Sequence, residues 1–397
     1  MGLQDLQQML AMNESARDIE TWHAVLSEQS ASLVEVLSDE DSVTPAVIAR
    51  LRRAWPAPLV RVALELTRAR RKAARKFAGS ASLVADVAGV EQATSELVAD
   101  HKAARFAHLD PARVYDLCCG IGGDAMSLSR TWPVIAVDCD PLRAWMCARN
   151  AGCRTIATAV ESLDLANEVI HLDPARRDES GRRHHRFADY RPGPDAIARL
   201  LHDNPDGAVK LGPGADFASI PGLDRREIEI INECGTLTQA VLWTGRLAFH
   251  AGRRTATRLP GKITCTGEVT PVPVAPPDRF LLEVDPAIER AELVGFLAGQ
   301  LGLACLHPAS GLLTAPTSIV SPWLRPFELL ADLPWRPRKV KAWLSANDAG
   351  DVIIRTRGKA VDPDAVHRKL RGDGETAYTV FIQRFDDKVR ALICRQS

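Results

Sequence analysis

Three short stretches bring together residue types that could do chemistry. In VYDLCCGIGGDAMSL, Val114 to Leu128, Asp116 stands ahead of a turn that carries Gly120, Gly122 and Gly123. Glycine there supplies positive φ and lets backbone amides approach a ligand, and the start of a following helix adds a favourable dipole. Asp138, in VIAVDCDP, follows near the offset expected of a carboxylate that receives ribose hydroxyls. The third stretch, HLDPARRDESGRRHHR, sets Asp173-Pro174 ahead of Arg176, Arg177, Arg182, Arg183 and Arg186, with His184 and His185 among them. Arginine forks onto phosphates and stacks on bases, so this run suits a phosphate-bearing ligand. Such a set could bind a nucleoside at the turn and hold a second, anionic molecule beside Asp173.

The elements that must position these groups follow from periodicity. Up to about residue 107 the apolar spacing is helical, as in ASLVEVLSD, TPAVIARLRRAW and LVRVALELTRARRKAARKF, with Thr44-Pro45 as cap and first turn. Arg68, Arg70, Arg71, Lys72, Arg75 and Lys76 form a basic run there, read either as a solvated face or as a phosphate contact. Over 108–245 the pattern changes to strands RVYDL, PVIAVD, RTIAT, EVIHLD and GAVKLG, separated by helical stretches around 123–130, 141–150 and 194–203. That alternation predicts an α/β, doubly wound, mainly parallel sheet. REIEIINE and TLTQAVLWTG, with only CG between them, predict a hairpin on one edge. RLAFH, ITCTG, a Pro-rich linker and the helix PAIERAELVGFLAGQLGL make 246–325 a β-rich and helical connection. Residues 326–397 read as a small α/β domain. Its parts are a helix at 338–346, strand DVIIRTRG, helix PDAVHRKLRG, and strands TAYTVFIQRF and KVRALICR.

Composition narrows the classes. Fifty basic and fifty acidic residues cancel, so any nucleic-acid preference must come from local patches. The nine cysteines contain no C-x-x-C pair, which predicts reduced thiols rather than a disulfide frame or a metal site. The adjacent pair Cys118-Cys119 is ill suited to tetrahedral chelation. No basic start followed by an apolar stretch opens the chain, and no run reaches the ~18 apolar residues of a membrane span. A cytoplasmic protein that needs neither membrane nor metal is the expectation.

Read alone, Gly120-Ile121-Gly122-Gly123-Asp124-Ala125 fits the dinucleotide fingerprint G-x-G-x-x-[GA]. Two features pull away from a nicotinamide cofactor. Asp116 stands four residues before the first glycine, where a dinucleotide site prefers an apolar residue, and the fourth strand ends in Asp173-Pro174. An acid, a spacer and a G-x-G turn, with Asp-Pro on the fourth strand, together resemble the class I S-adenosylmethionine-dependent methyltransferases. EQATSELVADHKAARF, Glu91 to Phe106, ahead of that turn is similar to the trimethylguanosine-synthase-like branch. LDPARR and the C-terminal LPWRPRKVKAWL…VIIRTRGKAV…TVFIQRFDDKVRALICR resemble bacterial members that join this core to a THUMP-like domain.

The resemblance implies a Rossmann-like methyltransferase sheet, S-adenosylmethionine as cofactor, and a C-terminal domain that contacts RNA. It places Asp116 and the backbone of Cys118, Gly120 and Gly122 at the methionine end of the cofactor, and Asp138 at the ribose. The acid usual after the third strand is missing from IATAVESL, which leaves Glu161 as a displaced candidate beside adenine. Related amino-directed enzymes carry [DN]-P-P-aromatic. Here Asp173, Pro174 and Arg176 form the candidate catalytic group, with Ala175 in place of the second proline and Arg176 in place of the aromatic. Arg177, Arg182, Arg183 and Lys210 are candidates for the acceptor's phosphates, and Arg355 and Arg357, on one face of a C-terminal strand, for RNA. Tyr190 and Trp243 could stack on a base or lie in the core. The expected activity is RNA methylation. Methylation of a small molecule or protein, and a cofactor-sensing RNA-binding protein without catalysis, stay open; a nicotinamide-dependent oxidoreductase is a distant third.

Overall fold

The computed structural model describes residues 16–39, 43–175, 187–220, 222–308, 310–356, 360–385 and 387–396. They fall into two compact units. The first runs to Ile228 and takes in Thr238–Gly252; the second comprises Glu229–Leu237 and everything from Arg253 onward.

The first unit begins with helices α1 (residues 16–25), α2 (Ala31–Ser38), α3 (Pro45–Ala54), α4 (Ala57–Ala73), α5 (Val87–Gln92) and α6 (Glu96–Phe106). Thr44 caps α3 by accepting from the Val47 amide at 3.3 Å, with Pro45 in the first turn. Val60, Ala63 and Leu66 of α4 share one apolar core with Leu33, Leu37 and Leu51, and also with Ile121 and Met146 of the α/β region. The helices therefore close over the sheet's own helices and are not an appendage. The basic run on α4 is mostly consumed in this packing. Arg70 donates to the Leu83 carbonyl, Arg71 to Leu37, and Lys76 to Val90, Glu91 and Ala93, while Lys72 pairs with Glu91.

The α/β part runs β1 (Val114–Leu117), α7 (Gly123–Leu128), β2 (Val134–Asp138), α8 (Pro141–Ala151), β3 (Arg154–Ala157), β4 (Val169–Leu172), α9 (Pro194–Asp203), β5 (Gly207–Leu211), β6 (Glu227–Glu233) and β7 (Thr236–Thr244). The strand order is β3-β2-β1-β4-β5-β7-β6. β1 to β5 pair in parallel and β7 is antiparallel to β5. Helical crossovers impose the parallel part, and the tight Cys234-Gly235 connection supplies the reversal. Register places Asp116 of β1 between Ala136 of β2 and His171 of β4. Order reverses at β1, so the crevice between the tips of β1 and β4 is the place where such sheets take ligands.

The second unit holds the β6–β7 tip, β8 (Arg254–Leu259) and β9 (Ile263–Gly267), then β10 (Phe280–Val284), α10 (Pro286–Arg290), α11 (Val294–Leu301), β11 (Ala304–Cys305), β12 (Leu312–Ala315) and β13 (Leu324–Pro334). It ends in α12 (Pro337–Ala346), β14 (Ala349–Thr356), α13 (Pro363–Leu370), β15 (Thr376–Phe385) and β16 (Lys388–Gln396). One seven-stranded sheet, β11-β12-β10-β13-β16-β15-β14, runs from residue 280 to the C-terminus. RLAFH is a helical turn rather than a strand, and the helix read over 286–303 is two, broken at Glu292 in left-handed conformation. β13 was hidden in the sequence because its burial alternates poorly along LRPFELLADLP. Among the described residues no helix is long and apolar enough to cross a membrane, and no three His, Cys, Asp or Glu side chains cluster as metal ligands.

Candidate active site at the strand tips

β1 delivers its chain into a turn whose backbone no ordinary sequence would adopt. Cys118 has φ 60°, Gly120 56° and Gly122 90°. A side chain at Gly122 would lie 3.0 Å from the Cys147 sulfur, so that glycine is required by packing against α8. A side chain at Gly120 would meet nothing within 4 Å, so the turn is open there to an incoming molecule. The turn is fixed to its neighbours by backbone bonds: the Cys119 amide donates to Val137 at 3.0 Å, and the Asp173 amide to Leu117 at 3.0 Å. Asp116, Cys118, Asp138 and Asp173 thus lie at or near the ends of three adjacent strands, close enough for all three carboxylates to act on the Cys118 thiol.

Asp138 accepts from the Gly120 amide at 2.8 Å and the Asp140 amide at 3.0 Å. Burial pushes its carboxyl above the usual range, against the pull of those two donors. The Cys118 thiol is pushed well up by burial and then by Asp138 and Asp173, with Asp116 adding to them. Burial first, and then the three carboxylates, favour the protonated thiol over the thiolate. The Cys119 thiol, despite the opposing contact with Cys147, is raised by burial to about 11.

Behind the turn lies a group of charges that periodicity did not reveal. His171, on β4, sets Nδ1 2.7 Å from Asp116 Oδ1 and Nε2 3.0 Å from Lys102 Nζ. Lys102, from α6, is 2.6 Å from Asp124 Oδ1, and Thr94 donates to the other Asp124 oxygen at 2.7 Å. All four charged or titratable groups are buried. Burial would raise Asp124, but the Lys102 ammonium, with Lys210 adding to it, outweighs it and holds the carboxyl well below the usual range. Burial dominates at Asp116 and raises it, with His171 pulling the other way. Lys102 in KAAR reads as a solvated helix residue, and His171 as a strand filler. Only their meeting in three dimensions gives them meaning.

Asp173 is partly exposed, and its Oδ2 is 2.6 Å from Lys210 Nζ. Lys210, expected to reach the acceptor's phosphate, is buried and is committed to this carboxylate and to the Gln92 carbonyl. Pro174 is buried beside it. Ala175 explains the departure from the second proline: its amide donates to Arg191 at 2.7 Å and its carbonyl accepts from Arg191 at 3.0 Å. Proline has no N–H and could not make the first of these bonds. Arg176, Arg177, Arg182 and Arg183, with His184, His185 and Arg186, lie outside the described residues, as does Arg357.

Glu161 sits exposed on a helical turn after β3, near enough for its charge to act on the Cys139 thiol beside Asp138. Tyr190 and Trp243 are both core residues; the Tyr190 hydroxyl accepts from the Gly212 amide, and Trp243 carries the Arg105 guanidinium 4.5 Å from its ring centre. Arg355 lies on the β14 face opposite the helices, but its guanidinium is 2.7 Å from Glu283 on β10.

Strand order, the acid-and-glycine turn and the Asp-Pro exit from β4 define the class I methyltransferase fold. Over 355 residues the chain is 34% identical to an uncharacterized S-adenosylmethionine-dependent methyltransferase of Mycobacterium tuberculosis, matched in two strains, covering 84% of this chain and 96% of the relative. The crystal structure of a candidate methyltransferase from Porphyromonas gingivalis W83 shares the fold, with a TM-score of 0.74 over 94% of this chain and 99% of that one, at 19% identity. Residues 324–396 match the family described as THUMP domain-like. The chain belongs to the S-adenosylmethionine-dependent methyltransferases, and it carries a THUMP-like domain at its C-terminus.

Proposed function

We propose that this methyltransferase modifies RNA, with the cofactor in the crevice between the β1, β2 and β4 tips and the acceptor at Asp173. The observation that carries the RNA reading is a cationic face in the THUMP-like domain. Lys341 of α12 donates to the carbonyls of Leu370, at 3.2 Å, and Arg371, binding the middle of α12 to the end of α13. Around that junction Arg336, Arg338, Lys339, Arg368, Lys369 and Arg371 are all exposed, and no ion pair joins any of them to an acid among the described residues. Six solvated cations, four on two joined helices and two at their caps, suit a phosphate backbone. Arg355, tied to Glu283, contributes less than its position in the sequence suggests.

In this reading S-adenosylmethionine supplies an electrophilic methyl group on a sulfonium centre. Asp138 receives the ribose hydroxyls, the open turn at Gly120 lets the backbone approach, Asp116 offsets positive charge, and Glu161 stands near the adenine. Asp173, gripped on one oxygen by Lys210, keeps the other for the hydrogen-bearing acceptor and fixes its direction toward the methyl group. Alignment of this kind can contribute on the order of 7–11 kcal/mol. Arg177, Arg182 and Arg183, which lie outside the described residues, are assigned to the acceptor's phosphates by their chemistry alone. Filter binding of total RNA to the full chain over a salt series tests the partner: affinity should fall linearly on a log–log plot. RNA affinity that is absent, or indifferent to salt, would reject it.

A further inference from the structure

We propose that Lys102 and His171 are positioning residues that keep Asp116 oriented and negatively charged for the ammonium at the methionine end of the cofactor. The inference rests on the reading of Asp116 as a cofactor-facing carboxylate and adds two residues that no sequence motif points to.

Donors and acceptors decide where the ring proton sits. An ammonium has three N–H donors and no acceptor, so Lys102 at 3.0 Å can meet only the lone pair of His171 Nε2. The ring proton is therefore on Nδ1, where it donates to Asp116 Oδ1 at 2.7 Å. A second ring proton would set N–H against N–H across that 3.0 Å gap, and Asp124 Oδ2, 3.7 Å from Nε2 and already accepting from Thr94, lies too far to receive it, so the imidazole is neutral. His171 consequently orients Asp116 without cancelling its charge.

The neighbouring charges are spent elsewhere. Lys102 is neutralised by Asp124 at 2.6 Å, and Thr94 satisfies the other Asp124 oxygen. The groups facing Asp116 are His171 from β4, Lys102 from α6, Asp124 from α7, the thiols Cys118 and Cys119 of the turn, and more distantly Cys147 and Cys153. With the lysine and Asp124 cancelling, one negative charge is left at Asp116. Its Oδ2 is buried and has no hydrogen-bond partner, an arrangement that is unfavourable unless something arrives to donate. A cation that carries N–H donors is the ligand that repays it, and the cofactor's α-ammonium has that chemistry. α6 thus links the helical region to cofactor recognition through one buried lysine.

The protonation pattern is measurable without ligand. In protein labelled with ¹⁵N histidine, two-bond ¹H–¹⁵N correlation at neutral pH should show His171, identified by its loss in His171→Asn, as the neutral form with its proton on Nδ1. An Nε2-protonated or doubly protonated ring overturns the proposal. In Lys102→Met the ring should lose that single form, and calorimetry should show S-adenosylmethionine bound about tenfold more weakly, the scale of one charge-assisted contact. An unchanged ring with unchanged affinity overturns it too. If the wild-type ring is as assigned but Asp116→Asn binds the cofactor as tightly as wild type, the reading of Asp116 fails, and the proposed purpose of the lock fails with it.

Discussion

Lys210 holds Asp173. The ammonium sits 2.6 Å from one carboxylate oxygen, and the lysine is buried on β5 while the aspartate stands partly open at the tip of β4. Lys210, expected at the acceptor's phosphate, is instead committed to the carboxylate proposed to bind the acceptor. Lys210→Met should slow methyl transfer by about tenfold or more, since small misplacements of an aligning group are costly. Cofactor affinity, measured by calorimetry, should be unchanged. A variant with full rate would show that Asp173 needs no anchor.

The two turn glycines should separate in their effects. Gly122→Ala meets the Cys147 sulfur at 3.0 Å and takes a φ of 90°, so it should destabilise the ligand-free protein by more than the ~1–2 kcal/mol of a left-handed residue. Gly120→Ala, at φ 56° with open space before it, should cost only that conformational term. Its methyl group would instead stand in the cofactor's path and weaken binding by about tenfold or more, a loss of ~1.4 kcal/mol. Thermal melts with and without S-adenosylmethionine distinguish them; equal effects on both readouts would contradict the open turn.

Acid should weaken the cofactor site early. Burial raises Asp116 and Asp138, so as pH falls both take up protons in a window above the ordinary value of 3.8. Affinity for S-adenosylmethionine should decline across that window, and Asp138→Ala should bind about tenfold more weakly at neutral pH. Stability has the opposite sign for these two. Their raised folded values mean that the native state binds the proton more tightly, so their contribution is present at low pH and is lost as pH rises through those values. Asp124 is depressed, and its contribution is present above 3.8 and lost as pH falls. Cofactor affinity that stays flat down to pH 3.8 would contradict the buried-carboxylate account.

Charge reversal should locate the RNA face. Arg338→Glu and Arg368→Glu, exposed on α12 and α13, should weaken RNA binding and lower the salt slope by about one per lost phosphate contact. Arg355→Glu should disturb the second sheet through Glu283 more than it disturbs the salt slope. The reverse pattern, measured by filter binding, would move the interface to the β14 face.

Much of the fold was legible because each core strand is bounded by a helical crossover. RVYDL, PVIAVD, RTIAT, EVIHLD and GAVKLG mark β1 to β5 to within a residue or two. The acid, the glycine turn and Asp173 could be read because their chemistry is local to the chain. Lys102 and His171 could not: 69 residues separate them, and a lysine on a helix carries no sign that it is buried. The extent of the second sheet was hidden for a similar reason. β10, β11 and β12 join β13 and β16 only through pairings distant in sequence.

Where the methyl group goes decides whether RNA is the acceptor. Purified protein incubated with methyl-labelled S-adenosylmethionine and RNA from a strain that lacks the enzyme should transfer label to the RNA. Asp173→Ala should transfer none while binding the cofactor as tightly as wild type. Label that never enters RNA, or that enters equally with the variant, would contradict it.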